Sequence, residues 1–336
     1  MNEDFLPLGK LNPLVLEELM NSLPKDRRVI VGPKIGEDAA VIDFGENYLV
    51  IKTDPITFTS ENIGWYAVNI NANDVACMGA TPRWFLVVAL FPEEKTSKSL
   101  VRNIFKQLTS ACRELGIFLI GGHTEVTPKL TFPILIGQMM GEVSREKLVK
   151  SSGAKVGDLI LLTKAVAIEG TNVIYQERKE ELRRRFSPEM LDKIEGFLHN
   201  PGISVVREAL LASKNVQVHS MHDPTEGGLK MGLWELAYAS KVGMRIDKGK
   251  IPVLEETRAI CKLYGLDPLG LLASGSLILT LEPEEAEKLC QIYKENGVRC
   301  SIIGEVVPQK EGIKIVDEGR ESNLLVEYED EISKIL

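Results

Sequence analysis

Two periodicities alternate along this 336-residue chain. Short apolar, β-branched runs predict strands at Ala39–Ile42, Tyr48–Ile51, Trp84–Phe91, Ile117–Ile120, Phe132–Met139, Asp158–Thr163, Ser276–Leu281 and Cys300–Ile303. Apolar residues at three- and four-residue spacing predict helices over Ser60–Cys77, Ser97–Leu115, Ile203–Ala212, Gly228–Ser240, Leu254–Tyr264 and Pro283–Asn296. Ser97 reads as a helix cap, Pro283 as a first-turn residue, and Gly116 and Gly265 as stops. The alternation predicts an α/β (α+β) protein and excludes an all-helical one. Charged residues cluster at Arg145–Lys150 before Ser151, Ser152, Gly153 and Gly157, and the strand–helix pattern then restarts. Two domains, 1–150 and 151–336, are expected, with a polar helical excursion over 176–200.

Composition narrows the class. Hydrophobic residues make up 44% and charged residues 26%, an ordinary globular mix, so no disordered or fibrous reading survives. Lys+Arg 40 against Asp+Glu 48 gives a net charge of −8, which argues against nucleic acid or an anionic membrane as partner. Arg183–Arg184–Arg185 reads as a solvated helix face. The longest apolar run, Trp84–Phe91, falls far short of the ~20 residues that cross a bilayer. The acidic start Met-Asn-Glu-Asp-Phe lacks the marks of a signal peptide, so a cytoplasmic location is expected. The five cysteines form no CxxC pair and read as buried small hydrophobes rather than a zinc site.

Candidate chemistry lies at the ends of strands and helices. Gly36-Glu37-Asp38 precedes a strand, Thr53-Asp54 ends one, Asn71-Ala72-Asn73-Asp74 interrupts an apolar helix, and Gly121-Gly122-His123-Thr124-Glu125 follows a strand. Taken singly, each has an ordinary explanation as a turn, a cap or a surface cluster. Taken together, acids that converge on one sheet edge repel unless a hard cation lies between them, and Mg²⁺ is the usual one. Glycine-flanked N–H groups would supply the phosphate-binding half of such a site. His222-Asp223-Pro224-Thr225-Glu226-Gly227-Gly228 opens a helix and suits an anion or a plain cap. There is no GxxxxGK[ST], no GxGxxG after the first strand, no HExxH and no GxSxG.

These segments, in this order, resemble the AIR synthase (PurM-like) superfamily, and within it most nearly the hydrogenase maturation protein HypE. The similarity rests on Gly36-Glu37-Asp38-Ala39-Ala40-Val41, Thr53-Asp54, Asn73-Asp74-Val75-Ala76-Cys77-Met78-Gly79-Ala80, Asp223-Pro224-Thr225-Glu226-Gly227-Gly228-Leu229, Ile251-Pro252-Val253, Gly265-Leu266-Asp267-Pro268-Leu269 and Ile303-Gly304-Glu305-Val306. It implies a two-domain fold: an amino-terminal α/β domain whose sheet joins a second subunit's in a barrel-like dimer core, and a ferredoxin-like α+β carboxy-terminal domain. It also implies ATP and Mg²⁺ as cofactors, a homodimer, and maturation proteins as partners. By the same likeness, Asp38, Asp54 and Asp74 would be metal ligands. Gly36, Asp38, Thr53, Asn73, Gly121, Gly122, Asp223, Thr225, Gly227 and Gly228 would hold the nucleotide.

The departures are equally specific. His123 and Glu125 replace the Asp and Lys of a G-D-T-K segment and become the candidate catalytic residues, and selenophosphate synthetases also carry G-G-H-T. Ala273-Ser274-Gly275 stands where HypE has N-E-G, so a candidate catalytic glutamate is missing. The sequence ends Ser333-Lys334-Ile335-Leu336 without the terminal cysteine of HypE, and this tail is expected to take no part in turnover. The expected function is ATP- and Mg²⁺-dependent phosphorylation of an oxygen on a small carbonyl, amide or related acceptor. A silent ATP-binding scaffold and a small-molecule kinase similar to thiamine-monophosphate kinase are the alternatives.

Overall fold

The structure, a computed structural model, describes residues 11–20, 23–57, 61–327 and 329–335. After a short helix α1 (Pro13–Met20), the chain runs through β1 (Val29–Val31), β2 (Ala40–Phe44), β3 (Asn47–Ile56), α2 (Ile63–Cys77), β4 (Thr81–Pro92), α3 (Lys98–Leu115), β5 (Phe118–Thr127) and β6 (Ile134–Ser144). It continues through β7 (Leu159–Thr163), α4 (Ile168–Glu177), α5 (Lys179–Leu182), α6 (Pro188–Glu195), α7 (Val206–Asn215), β8 (Ser220–His222), α8 (Gly228–Ser240), β9 (Gly243–Asp247), α9 (Glu255–Tyr264), β10 (Ile278–Leu281), α10 (Pro283–Glu295), β11 (Cys300–Val307), β12 (Ile313–Asp317) and β13 (Arg320–Asn323). The expected helix start at Ser60 lies outside the described residues.

The chain forms two compact units. One comprises 26–32 and 38–148; the other takes 149–336 together with the segment through Lys25 and 33–37. The division therefore falls inside the Gly-Glu-Asp motif. Glu37 accepts the Ser151 N–H at 3.3 Å and the Ser152 hydroxyl, which ties it to the carboxy-terminal unit, whereas Asp38 leads into β2.

The amino-terminal unit is an open sheet ordered β1-β2-β3-β6-β4-β5, antiparallel except for the parallel β4–β5 pair. It is not a closed barrel. α2 is buried almost all round because it lies between the sheet and α3, which explains an apolar pattern with no clear polar face. α3 shows the expected ends: the Ser97 hydroxyl accepts the Leu100 N–H at 3.1 Å, and Gly116 closes it at φ 68°. On β4, Phe85, Val87, Ala89 and Phe91 are buried beneath the helices. The alternate residues Trp84, Leu86, Val88 and Leu90 remain partly exposed on the opposite face. Phe118, Ile120 and Val126 of β5 are exposed as well.

The carboxy-terminal unit is built on a sheet ordered β13-β12-β9-β11-β7-β10-β8, antiparallel apart from β12–β9. Ile160, Leu162, Ile246, Ile278 and Ile303 of this sheet pack against Leu229, Leu233 and Leu236 of α8. A Cβ on Gly36 would stand 2.5 Å from the Glu235 carbonyl oxygen, so this glycine is required by close approach to α8. Among the described residues, no helix is long and apolar enough to cross a membrane.

The last described segment is packed rather than loose. Ile332 is fully buried, and the Asp330 carboxylate accepts N–H groups from Gly227 (2.7 Å), Ile332 (2.9 Å) and Leu272 (3.3 Å). This segment thus has a structural task. Ile332→Ala is expected to cost about 2–5 kcal/mol, the range for truncating a buried aliphatic side chain. Urea unfolding of the full chain checks this, and an unchanged midpoint would show that the segment is not packed in solution.

Candidate functional site

β3 and α2 build the acidic cluster. Along a strand, alternate residues share a face, and Val50, Lys52, Asp54 and Ile56 form the row turned toward α2, with Val50 and Ile56 buried. β2 pairs with β3 only as far as Ile51, which leaves the β3 edge open at Asp54. Asn71 closes it: its Oδ1 accepts the Asp54 N–H at 2.9 Å, and its Nδ2 donates to the Asp54 carbonyl at 3.3 Å and the Ala67 carbonyl at 2.9 Å. A Cβ on Gly137 would lie 2.4 Å from that Nδ2, so glycine is what admits the Asn71 amide.

Asp74 sits three residues beyond Asn71, on the same side of α2. The Lys52 ammonium is 3.3 Å from an oxygen of Asp74 and 3.3 Å from an oxygen of Asp54. The Asp74 side chain is only 8% exposed, so this is not a freely solvated surface pair. The structure therefore joins two of the three expected ligands around a cation that sequence reasoning missed. Lys52 had a readable signal, since it lies two residues before Asp54 on a strand. Asp38 and Asn73 are buried in the same unit. The Thr53 hydroxyl donates to the Gly137 carbonyl at 2.7 Å.

His123 and Glu125 stand elsewhere. They pair with each other at 2.9 Å, both exposed, on β5. In register they lie beside Val88 and Leu90, on the face opposite the buried Val87 row, while Asp54 lies beside Gly137 and so within the Val87 row. β5 is also three strands from β3, roughly 14 Å at the usual spacing. Within one chain, this pair and the acidic cluster occupy different faces. Gly121 and Gly122 have a packing reason: a Cβ on Gly122 would fall 1.9 Å from the Val87 carbonyl oxygen, and one on Gly121 would touch Leu86.

The Asp223–Gly228 turn belongs to the carboxy-terminal unit. Asp223 is buried, the Thr225 carbonyl accepts the N–H groups of Gly228 (3.1 Å) and Ala273 (3.2 Å), and the Gly227 N–H is taken by Asp330. The expected anion position at Gly227 is filled by the chain's own carboxylate. Gly228, at φ 63°, would drive a Cβ to 2.6 Å from the Leu269 carbonyl oxygen.

A second residue missed in the sequence is Glu169, buried in the first turn of α4. Its Oε2 and the Ser274 hydroxyl lack hydrogen-bond partners of good geometry among the described residues. Burial pushes its carboxyl up to about 7, with Asp330 and Glu226 adding to the rise and Ser274 opposing it. Burial likewise raises Asp330 to about 6, against the N–H groups it accepts. The signal in sequence was a lone acid in Ala165-Val166-Ala167-Ile168-Glu169-Gly170, an otherwise apolar stretch.

Two mixed α/β units, with paired acids on a strand and helix of one and a glycine turn opening a helix of the other, define a two-domain enzyme fold of the AIR synthase type. The chain belongs to the AIR synthase-related family: the N-terminal domain model matches residues 36–143 and the C-terminal domain model residues 155–317. It is 31% identical to the carbamoyl dehydratase HypE of Cupriavidus necator, over 77% of this chain and 73% of the relative. It is 32% identical to the thiamine-monophosphate kinase of Pyrococcus horikoshii, over 86% and 88%. The crystal structure of the hydrogenase maturation protein HypE in complex with ATP superposes with a TM-score of 0.69 at 24% identity, covering 91% of this chain and 92% of that one. The family is one of enzymes, and its two-domain fold is the one observed.

An acid whose value is raised on folding holds its proton more tightly in the folded chain than in the unfolded one. For Glu169 the window runs from its ordinary 4.5 to about 7, and for Asp330 from 3.8 to about 6. Stability is therefore expected to fall as pH rises through these windows. Glu169→Gln should remove the upper part of that fall and stabilise the chain at pH 8, by on the order of 3 kcal/mol at most. Thermal unfolding at pH 5 and pH 8 checks it; equal shifts at both would assign the gain to something other than ionisation.

Proposed function

We propose that the chain binds ATP with Mg²⁺ and transfers its terminal phosphoryl group to an oxygen of a small carbonyl, amide or related acceptor. The observation that carries this reading is the convergence of Asp54 and Asp74 on one cation. Carboxylate oxygens are the hard donors that Mg²⁺ takes, and it binds by one or two of them while keeping phosphate oxygens and water. The donor set fits. Asp54 and Asp74 would hold the ion, with Asp38 as a third acid of the same unit. The ion would neutralise charge on the phosphates.

The chain's own part is positional. Asn71 fixes Asp54 through its backbone, and α2 fixes Asp74, so neither carboxylate has to be ordered when ligand arrives. The likeness to carbamoyl dehydratase HypE supports an amide or carbamoyl oxygen as acceptor. The likeness to a thiamine-monophosphate kinase supports a second reading, in which the acceptor is a phosphate oxygen of a small molecule. Hydrogenase maturation proteins remain the proposed partner class.

We further propose a homodimer. The row Trp84, Leu86, Val88 and Leu90, with Phe118 beside Trp84, leaves an apolar sheet face partly uncovered. A second copy of the same face would cover it, and closed two-fold dimers are the commonest oligomers.

Asp74→Asn is expected to weaken ATP binding in Mg²⁺ by about tenfold or more while leaving the fold intact. Calorimetric titration with a non-hydrolysable ATP analogue measures it, and unchanged affinity would reject the site. Sedimentation of the full chain at micromolar concentration is expected to give twice the mass of one chain, and a monomer would remove the dimer.

A further inference from the structure

Lys52 is the member of the acidic cluster that the expected metal chemistry does not call for. It stands two residues before Asp54 on the same face of β3, and its ammonium lies 3.3 Å from both Asp54 and Asp74. Its side chain is 22% exposed and Asp54's 31%, so the group is half-buried. Near a protein surface, one unit charge at such range is worth enough to shift an equilibrium by an order of magnitude.

An ammonium between two carboxylates occupies the position that a divalent cation bound to the same oxygens would take. Two cations cannot share it, because one oxygen of each carboxylate is already turned to the ammonium and like charges a few ångströms apart repel. Lysine suits a role that involves leaving, since its charge rides on a flexible four-carbon stem. The stem of Lys52 starts on β3, where Lys52 pairs across from Met139 of β6, so its head can swing while its base stays fixed. Any anion brought in with the metal would meet that displaced charge.

We infer that Lys52 is a built-in counter-cation which competes with Mg²⁺ for the Asp54–Asp74 pair and, once displaced, pairs with the phosphates of the incoming nucleotide. The competition stands on the geometry alone; the phosphate contact rests on the nucleotide reading above. No bond is made or broken in the exchange. An ion pair between Lys52 and carboxylate is replaced by one between Lys52 and phosphate. In the absence of metal, Lys52 keeps two like charges tolerable on one strand end, and in its presence the lysine serves the ligand.

The test uses the full chain and Lys52→Met, with Lys52→Gln as a second neutral variant should the first fail to fold. Three quantities are read: affinity for Mg²⁺ alone, affinity for the ATP analogue AMPPCP in saturating Mg²⁺, and thermal stability in EDTA against Mg²⁺. The neutral variants are expected to bind Mg²⁺ about tenfold more tightly and AMPPCP about tenfold more weakly. They should also melt lower than the parent in EDTA and regain the difference in Mg²⁺. Mg²⁺ affinity no tighter than the parent's overturns the competition and leaves Lys52 as a static ion pair. Tighter Mg²⁺ with unchanged AMPPCP affinity overturns the phosphate contact. If the parent binds Mg²⁺ but no AMPPCP, it is the nucleotide reading that fails, and the Mg²⁺ measurement alone decides the competition. If neither parent nor variant binds Mg²⁺, the inference is overturned outright.

Discussion

Two carboxylates cannot be held at one half-buried strand end without a positive charge between them. In this protein Asp54 and Asp74 are that pair, and Lys52 supplies the charge. The local architecture follows from keeping the three together. α2 must come close enough to β3 for Asp74 to reach the end of the strand, so its face is small and buried, and Gly137 leaves room for the Asn71 amide. Asn71 then satisfies the backbone of Asp54 where β2 no longer does.

The carboxy-terminal unit faces a related problem and solves it differently. Glu169 and Asp330 are buried acids, and among the described residues no lysine is paired with either. Asp330 is partly compensated by three backbone N–H groups, whereas Glu169 is left with a raised affinity for its proton. One acidic group is thus neutralised by a lysine, the other by hydrogen bonds and protonation. Ser274, where the family resemblance places a glutamate, lies against Glu169, so a carboxyl does reach this region, though from α4.

Much of this was legible in the sequence. Ser97, Gly116, Pro283 and Gly265 marked helix ends correctly, because caps and stops are set by local backbone chemistry. Asp54 and Asp74 were singled out, together with Asp38, because each sits at the end of an element. β1, β8, β9, β12 and β13 were not: they are three to five residues long, too short for a local period to announce them. The placement of His123 and Glu125 on the far face of the sheet was hidden for a similar reason. The face a strand residue takes is fixed by register with its neighbours, and β5 carries a bulge opposite Phe85–Leu86. The glycines of the Gly-Gly-His-Thr-Glu and Gly-Glu-Asp segments were read as ligand-binding turns, and the sequence did not show that Gly122 and Gly36 are also needed because neighbouring backbone comes too close for a side chain. Lys52 escaped notice because a strand lysine is ordinarily a solvated charge, and only the fold brings Asp74 to it.

The central claim is that the Asp54–Asp74 pair is a divalent-cation site held shut by Lys52 until nucleotide and metal arrive. Crystals grown with Mn²⁺ and a non-hydrolysable ATP analogue test it most directly, because Mn²⁺ is located by its anomalous scattering. The account predicts a peak bonded to oxygens of Asp54 and Asp74, with the Lys52 ammonium withdrawn from both and placed on a phosphate. Nucleotide bound with its metal elsewhere, and Lys52 still bridging the two carboxylates, would contradict it.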